Sequence, residues 1–170
     1  MATATYDLIA SQTLGSAVNT VTFASITSAY TDLRLVVVAR ESSSGDSFSV
    51  RFNSDTAANY SSTYMQGRNS YAAVNTATSQ TLFTFAQYQG VGTTYPSFYT
   101  IDLFSYTSSY YKTLLHTEAY DQNNSNGNTT TAVGLWRNTS AVTQIDVFMT
   151  TSSIKWATGS TFNLYGIKAA

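Results

Sequence analysis

His116 is the single histidine among 170 residues, so any imidazole chemistry has to run through it. A hydrolytic triad would use it as base, with Asp102 or Asp146 to orient it and one of the 23 serines as nucleophile. The chain has no Gly-x-Ser-x-Gly elbow, and His116 falls between Leu115 and Thr117 inside a strand-like run. A structural or surface histidine is the expectation. A glycosidase would need two carboxylates roughly 5–10 Å apart. Only two Glu and seven Asp are available, and Asp102, Glu118 and Asp146 lie within strand-like runs. Pairing across strands with Arg34, Arg51 or Lys112 accounts for them more simply. The segment from Asp121 to Gly127 places oxygen donors at alternate positions, as a calcium loop does. Its twelfth position is Ala132, where the bidentate carboxylate belongs. With no cysteine, thiolate catalysis, disulfides and cysteine metal sites are excluded. No catalytic residue, cofactor site or metal ligand is assigned, and the chain reads as a non-enzyme.

What remains is aromatic. Thirteen Tyr are present, and Tyr60, Tyr64, Tyr71, Tyr95, Tyr110 and Tyr111 fall in stretches that read as loops. Tyr offers a large, stiff, amphipathic contact with little rotamer entropy to lose, which is why interfaces favour it. These six and Tyr6, near the N-terminus, are the candidate partner-binding residues. Tyr also stacks on sugar rings, so a glycan is the alternative ligand.

The elements that must position these residues are strands. Charged residues make up 10% of the chain, against about 25% in ordinary soluble domains. Ser and Thr, 23 and 28 in number, take their place beside β-branched and aromatic residues that suit a pleated, half-buried surface. A net charge of −1 with scattered Lys and Arg offers nothing to a phosphate backbone, which argues against nucleic acid as a partner. The N-terminus lacks a basic segment followed by an apolar run, so no signal peptide is expected and synthesis in a cytosol is. No apolar stretch approaches the ~20 residues of a membrane helix.

Residues 33–39 are apolar on both pleat faces after Leu35, which predicts a central strand buried on two sides. Phe48, Val50 and Phe52 alternate with polar residues as a half-buried strand does. Further strands are expected over 81–88, 98–106, 112–120, 130–137, 144–150 and 161–167. Ser42 to Asp46 and Asp121 to Asn128 read as turns. The polar, Tyr-dotted region 54–80 reads as a long excursion. No window has helical periodicity. The expectation is one domain over residues 1–170: an antiparallel β-sandwich, jelly-roll-like, of about 8–10 strands, with residues 1–14 as an N-terminal arm or edge strand. An up-and-down barrel is the alternative. Trp136, Trp156, Phe162, Leu164 and Tyr165 are expected in the core or at its corners.

Both ends of the chain carry a recognisable pattern. Tyr6 to Leu14 ("YDLIASQTL"), Val21 to Ile26 and Tyr30 to Val38 ("YTDLRLVVV") stand at the start. "GLWRNTSAVTQI" and "GSTFNLYGIK" stand at the close. This combination resembles a family of small, β-rich structural proteins of tailed bacteriophages. The resemblance implies a virion part rather than an enzyme. Among virion roles, a single compact domain without Gly-rich or heptad shaft repeats favours a capsid decoration (cement) protein that sits on the outer shell, with the major capsid protein as partner, over a fibre tip or a baseplate accessory part. Self-association as a dimer or trimer is part of that expectation. A tail- or fibre-associated domain that binds a receptor or carbohydrate is the alternative. No membrane, nucleic acid or cofactor is implied.

Overall fold

A computed structural model of the chain describes residues 5–43, 47–85, 93–123 and 127–168. Twelve strands run through them: β1 (Tyr6–Thr13), β2 (Thr20–Phe23), β3 (Asp32–Ala39), β4 (Phe48–Phe52), β5 (Tyr60–Arg68) and β6 (Tyr71–Gln80), followed by β7 (Phe83–Thr84), β8 (Ser97–Phe104), β9 (Lys112–Asp121), β10 (Gly127–Trp136), β11 (Ile145–Met149) and β12 (Thr161–Ile167). Among the described residues there is no helix. Eight strands form one sheet in the order β1-β12-β3-β8-β9-β10-β5-β6, and four form a second in the order β2-β11-β4-β7. All pairings are antiparallel. The two sheets face each other as a sandwich. Among the described residues each keeps two open edges, so the barrel alternative does not hold, and the arrangement is compatible with a jelly roll.

Alternation sets the core. On β3, Leu33, Leu35, Val37 and Ala39 are buried, while Arg34 and Val36 are half-buried and Val38 is exposed. The expected two-sided burial of this strand is corrected: only one face of its sheet is covered. Phe48 and Phe52 of β4 reach across from the smaller sheet. Phe48 stacks on Tyr99 with centroids 4.8 Å apart, and Phe52 meets Trp136 edge-on at 5.6 Å. Such pairs add about 0.5–1.5 kcal/mol each beyond the area they bury.

Two glycines are fixed by aromatic rings. A Cβ on Gly134 would meet the Phe83 ring at 2.6 Å. One on Gly166 would collide with the ring of Tyr30, which lies directly against the bare backbone. The glycine of the terminal "LYGIK" is therefore a seat for Tyr30.

Strand bounds follow the expectation closely where apolar alternation is strong, and Thr161–Ile167 agrees to the residue. The excursion expected over 54–80 is corrected. Residues 60–80 form the β5–β6 hairpin, whose two-residue turn is Asn69-Ser70. Asn69 adopts a φ of 51°, a left-handed conformation that Asn tolerates. The N-terminal segment is an edge strand rather than a free arm, because β1 pairs with β12 from Tyr6↔Ile167 to Thr13↔Thr161. The strand expected over 81–88 is present only as Phe83–Thr84; residues 86–88, like 44–46 and 124–126 of the two expected turns, lie outside the described residues.

Candidate functional site

Because strand residues alternate, each chemical candidate falls on one side of the large sheet or the other. Asp102 points outward and takes a bidentate contact from Arg34, Nε to Oδ1 at 2.5 Å and Nη2 to Oδ2 at 2.8 Å. This hydrogen bonding raises the Arg34 pKa above its ordinary value. His116 points inward, so Asp102 and His116 lie on opposite faces. Asp146 sits on the smaller sheet, where Thr22 Oγ1 donates to it at 2.7 Å and Gln144 Nε2 at 2.9 and 3.0 Å. No triad of His116 with either aspartate is assembled. Arg51 instead lies over the Phe148 ring at 5.0 Å. Lys112 is buried, donating to the carbonyls of Ser108 at 2.7 Å and Tyr110 at 2.6 Å; that burial lowers its pKa.

The inward face is apolar at one end and polar at the other. His116 is fully buried, its ring stacked on Phe85 at 4.3 Å and Phe48 at 5.4 Å. Its Nδ1 lies 3.1 Å from the Thr100 carbonyl, so Nδ1 carries the proton and donates. Nε2 lies 3.6 Å from Glu118 Oε2, and Glu118 is equally sealed from solvent. The Tyr99 hydroxyl, beside Ser97, and the Tyr120 hydroxyl, which has no hydrogen-bond partner among the described residues, close the same region. Burial, with the Glu118 charge adding to it, drives the Tyr99 phenol well above its usual range. Among the described residues, no group of three His, Asp or Glu could hold a metal ion.

The outward face is different. Its middle row runs through Ser11, Asn163, Val36 and Thr100, then on through Thr117, Thr131, Met65 and Val74. The row on one side is Thr13, Thr161, Val38 and Phe98, then Ala119, Thr129, Gly67 and Ala72. The row on the other side holds Leu8, Tyr165, Leu115 and Val133 around the Arg34–Asp102 pair. Those two, neutralising each other, are the only charged residues in the three rows. Thirteen large apolar or aromatic side chains are exposed among the described residues, and nine of them stand on this face. Met65 is 63% and Val74 73% exposed; Tyr6, Leu8, Val38, Phe98, Phe104, Leu115 and Val133 are the others. Seven inter-strand spacings of about 4.8 Å make the face roughly 34 Å across.

The candidate tyrosines separate accordingly. Tyr6 belongs to the outward face, where its ring meets Tyr165 edge-on at 6.5 Å and its hydroxyl accepts from Arg34 at 3.3 Å. Tyr71, Tyr95, Tyr110 and Tyr111 are exposed. Tyr110 and Tyr111 follow the turn that Lys112 holds from beneath. Tyr60 and Tyr64 are corrected: both are buried on β5. The Tyr60 hydroxyl, its pKa pushed up by burial, donates to the carbonyls of Asp55 at 3.0 Å or Phe52 at 3.2 Å. The expectation failed because these tyrosines were placed by their polar neighbours, whereas strand alternation turns them inward.

Beside the hairpin turn lie two adjoining concavities of about 950 and 320 Å³, which share Arg68 and Tyr71. Tyr64, Tyr120 and the amides of Asn69, Asn75 and Asn128 line them. The outward face was missed in the sequence, although period-two runs with Val, Leu and Phe in the solvent-facing set (Val38, Phe98, Leu115, Val133) were its signal. Comparison with protein-family models, curated proteins and solved structures finds no match to this chain.

Proposed function

We propose that this chain is a non-enzymatic structural protein of a bacteriophage particle, a decoration protein that docks on the outer face of the assembled capsid and stabilises it. The observation that carries the reading is the outward face of the large sheet. A monomer's largest exposed apolar patch is typically a few hundred Å², and larger ones mark interaction sites. Strands of eight residues such as β8 run about 27 Å. A face of that length and roughly 34 Å width, its exposed apolar side chains set among threonines, is large enough for the ~800 Å² per partner of a standard interface. The ion pair in its three central rows is already satisfied within the chain, so docking there strands no lone charge; Asp32 and Asp121 stand on the outer rows. The sealing of His116 and Glu118 from solvent agrees with a role in binding rather than turnover. The bacteriophage context rests on the sequence resemblance at the two ends of the chain.

The mechanism is mass action. A protein that binds the assembled lattice and not loose subunits stabilises the lattice by its binding free energy, summed over many copies. The test is saturable binding of the purified protein to empty, expanded capsids. Leu115→Lys and Val133→Lys are expected to abolish binding while leaving the melting temperature nearly unchanged. Undiminished binding by both variants sinks the assignment of this face.

The hairpin concavities favour the second reading, a carbohydrate-binding domain. Tyr71 is exposed there beside amide side chains that match sugar hydroxyls. Binding on a glycan array that Tyr71→Ala removes, with no binding to capsids, would establish that reading in place of decoration.

A further inference from the structure

The two edges of the eight-stranded sheet are not equally protected. An edge strand presents unpaired N–H and C=O groups to any other strand, and natural proteins guard such edges with charge, proline or a bulge. On β1 the register shifts between Leu8 and Ala10, and Asp7 is joined to Lys168 at 2.7 Å. Strand β6 also carries a bulge, between Ala77 and Gln80 where Ser79 has a φ of 54°, but it has neither of the other two guards. Its ten residues, YAAVNTATSQ, contain no charge and no proline, and none is buried. Its register against β5 is regular from Ser62↔Ala77 to Arg68↔Tyr71.

The open side can be read from the hydrogen bonds. Asn75 Oδ1 accepts from the Thr76 backbone N–H at 2.8 Å, and Gln80 Nε2 donates to the Thr78 carbonyl at 2.7 Å. Side chains of the strand itself thus occupy backbone groups that a neighbouring strand would take. A two-residue hairpin turn bonds Tyr71 to Arg68. Residues 71, 73, 75 and 77 then face β5, and 72, 74 and 76 present their backbone groups to the open side, up to the bulge that follows Ala77.

We propose that β6 pairs antiparallel with β6 of a second copy, about a two-fold axis through Asn75, to join two large sheets edge to edge. Residues directly opposite each other must point to the same face, so the two residue numbers sum to an even value. With Asn75 on the axis, Val74 lies opposite Thr76 of the second copy, a β-branched pair on the outward face. Ala73 lies opposite Ala77 on the inward face. The two Asn75 side chains face each other, and the bulge that follows Ala77 ends the regular pairing there. No like charges meet, because the strand has none. This charge neutrality, with the small residues at 72, 73 and 77, fits another β6 better than a charged strand. The contact is isologous and closes at two copies. It also doubles the outward face described above, without depending on what that face binds.

The chain has no cysteine, so a single introduced one is an unambiguous probe. Asn75→Cys places two sulfurs opposite each other at a non-hydrogen-bonded pair, where Cα atoms stand about 4.5 Å apart and a disulfide is geometrically allowed. Mild oxidation should convert that variant to covalent dimer, while Val74→Cys, which does not face itself, stays largely monomeric on a non-reducing gel. By light scattering over a concentration series, the unmodified chain should form dimers. Val74→Pro, which removes one donor on the open side only, should be monomeric with an unchanged circular dichroism spectrum. A monomeric unmodified chain at all concentrations overturns the proposal. Equal crosslinking by Asn75→Cys and Val74→Cys overturns it too, and that readout stands even where Val74→Pro fails to fold.

Discussion

Strand β9 shows the contrast between the two faces of the large sheet in three consecutive residues. Leu114 and His116 are buried, and Leu115 between them is 40% exposed. The inward set meets the second sheet: Trp136, Tyr60 and Phe83 form an aromatic group, with Phe83 edge-on to Tyr60 at 4.9 Å. The outward set is nearly as apolar in places, with Val38, Phe98 and Val133, yet has no second layer over it. At those positions hydrophobicity does not separate the two faces, although Ser, Thr and Asn fill much of the rest of the outward rows. What separates them is whether a packed neighbour exists, and that decides which substitutions alter folding and which alter only association.

The largest expected effect belongs to the apolar end of the inward face. Trp136→Ala should lower stability by about 3–5 kcal/mol, measured by denaturant unfolding. It leaves a cavity beside Phe52 and removes the Nε1 donor that meets Asp55 Oδ2 at 2.8 Å. Next comes the polar end. Glu118→Ala should cost about 1–3 kcal/mol because it leaves a cavity and removes the carboxylate that faces His116 Nε2, whereas the His116→Phe/Glu118→Leu pair should recover most of the loss. A neutral Glu118→Ala would break the comparison, since it would make the polar end dispensable.

Asp55 gives a smaller, pH-dependent effect. Burial alone would raise its pKa, but hydrogen bonds from Asn59, the Ala57 N–H and Trp136 bring it below the ordinary 3.8. A carboxylate with a depressed folded pKa stabilises the fold fully above its unfolded pKa and loses that contribution as pH falls through the folded value. Asp55→Ala should cost about 2 kcal/mol at neutral pH. It should also flatten the fall in stability below about pH 4, in unfolding curves taken at stepped pH. The smallest effect on folding is expected outside: Leu115→Thr and Val133→Thr should change stability by no more than about 0.5 kcal/mol. Capsid binding should weaken in both. A large stability loss from either would show that the outward face has a structural partner within the chain.

Much of the fold was legible because its strands alternate strongly. Thr161–Ile167 and the runs around Leu33, Phe48, Lys112 and Ile145 announce themselves by period two. Strand β6 did not, since Tyr71–Gln80 meets no packed layer on either side and carries no apolar alternation. It is a strand because its backbone bonds to β5, an effect of pairing that its composition does not encode. Tyr60 and Tyr64 were misplaced for a related reason, as their inward orientation depends on β5 lying between β10 and β6. The candidate docking face shares that limit. Its residues come from eight strands scattered along the chain, and only the strand order sets Val38 beside Phe98 or Met65 beside Val74.

By itself, the sequence determined the all-β class, the absence of cysteine chemistry, the main strands and which residues alternate on them. Those properties are local, set by side-chain type and by the two-residue repeat of an extended backbone. The tertiary structure alone decided which alternate set is covered, where the core turns polar around His116 and Glu118, and which edge is left open. Each of these depends on a four-stranded sheet too narrow to cover an eight-stranded one, and on strand pairings between residues far apart in the chain.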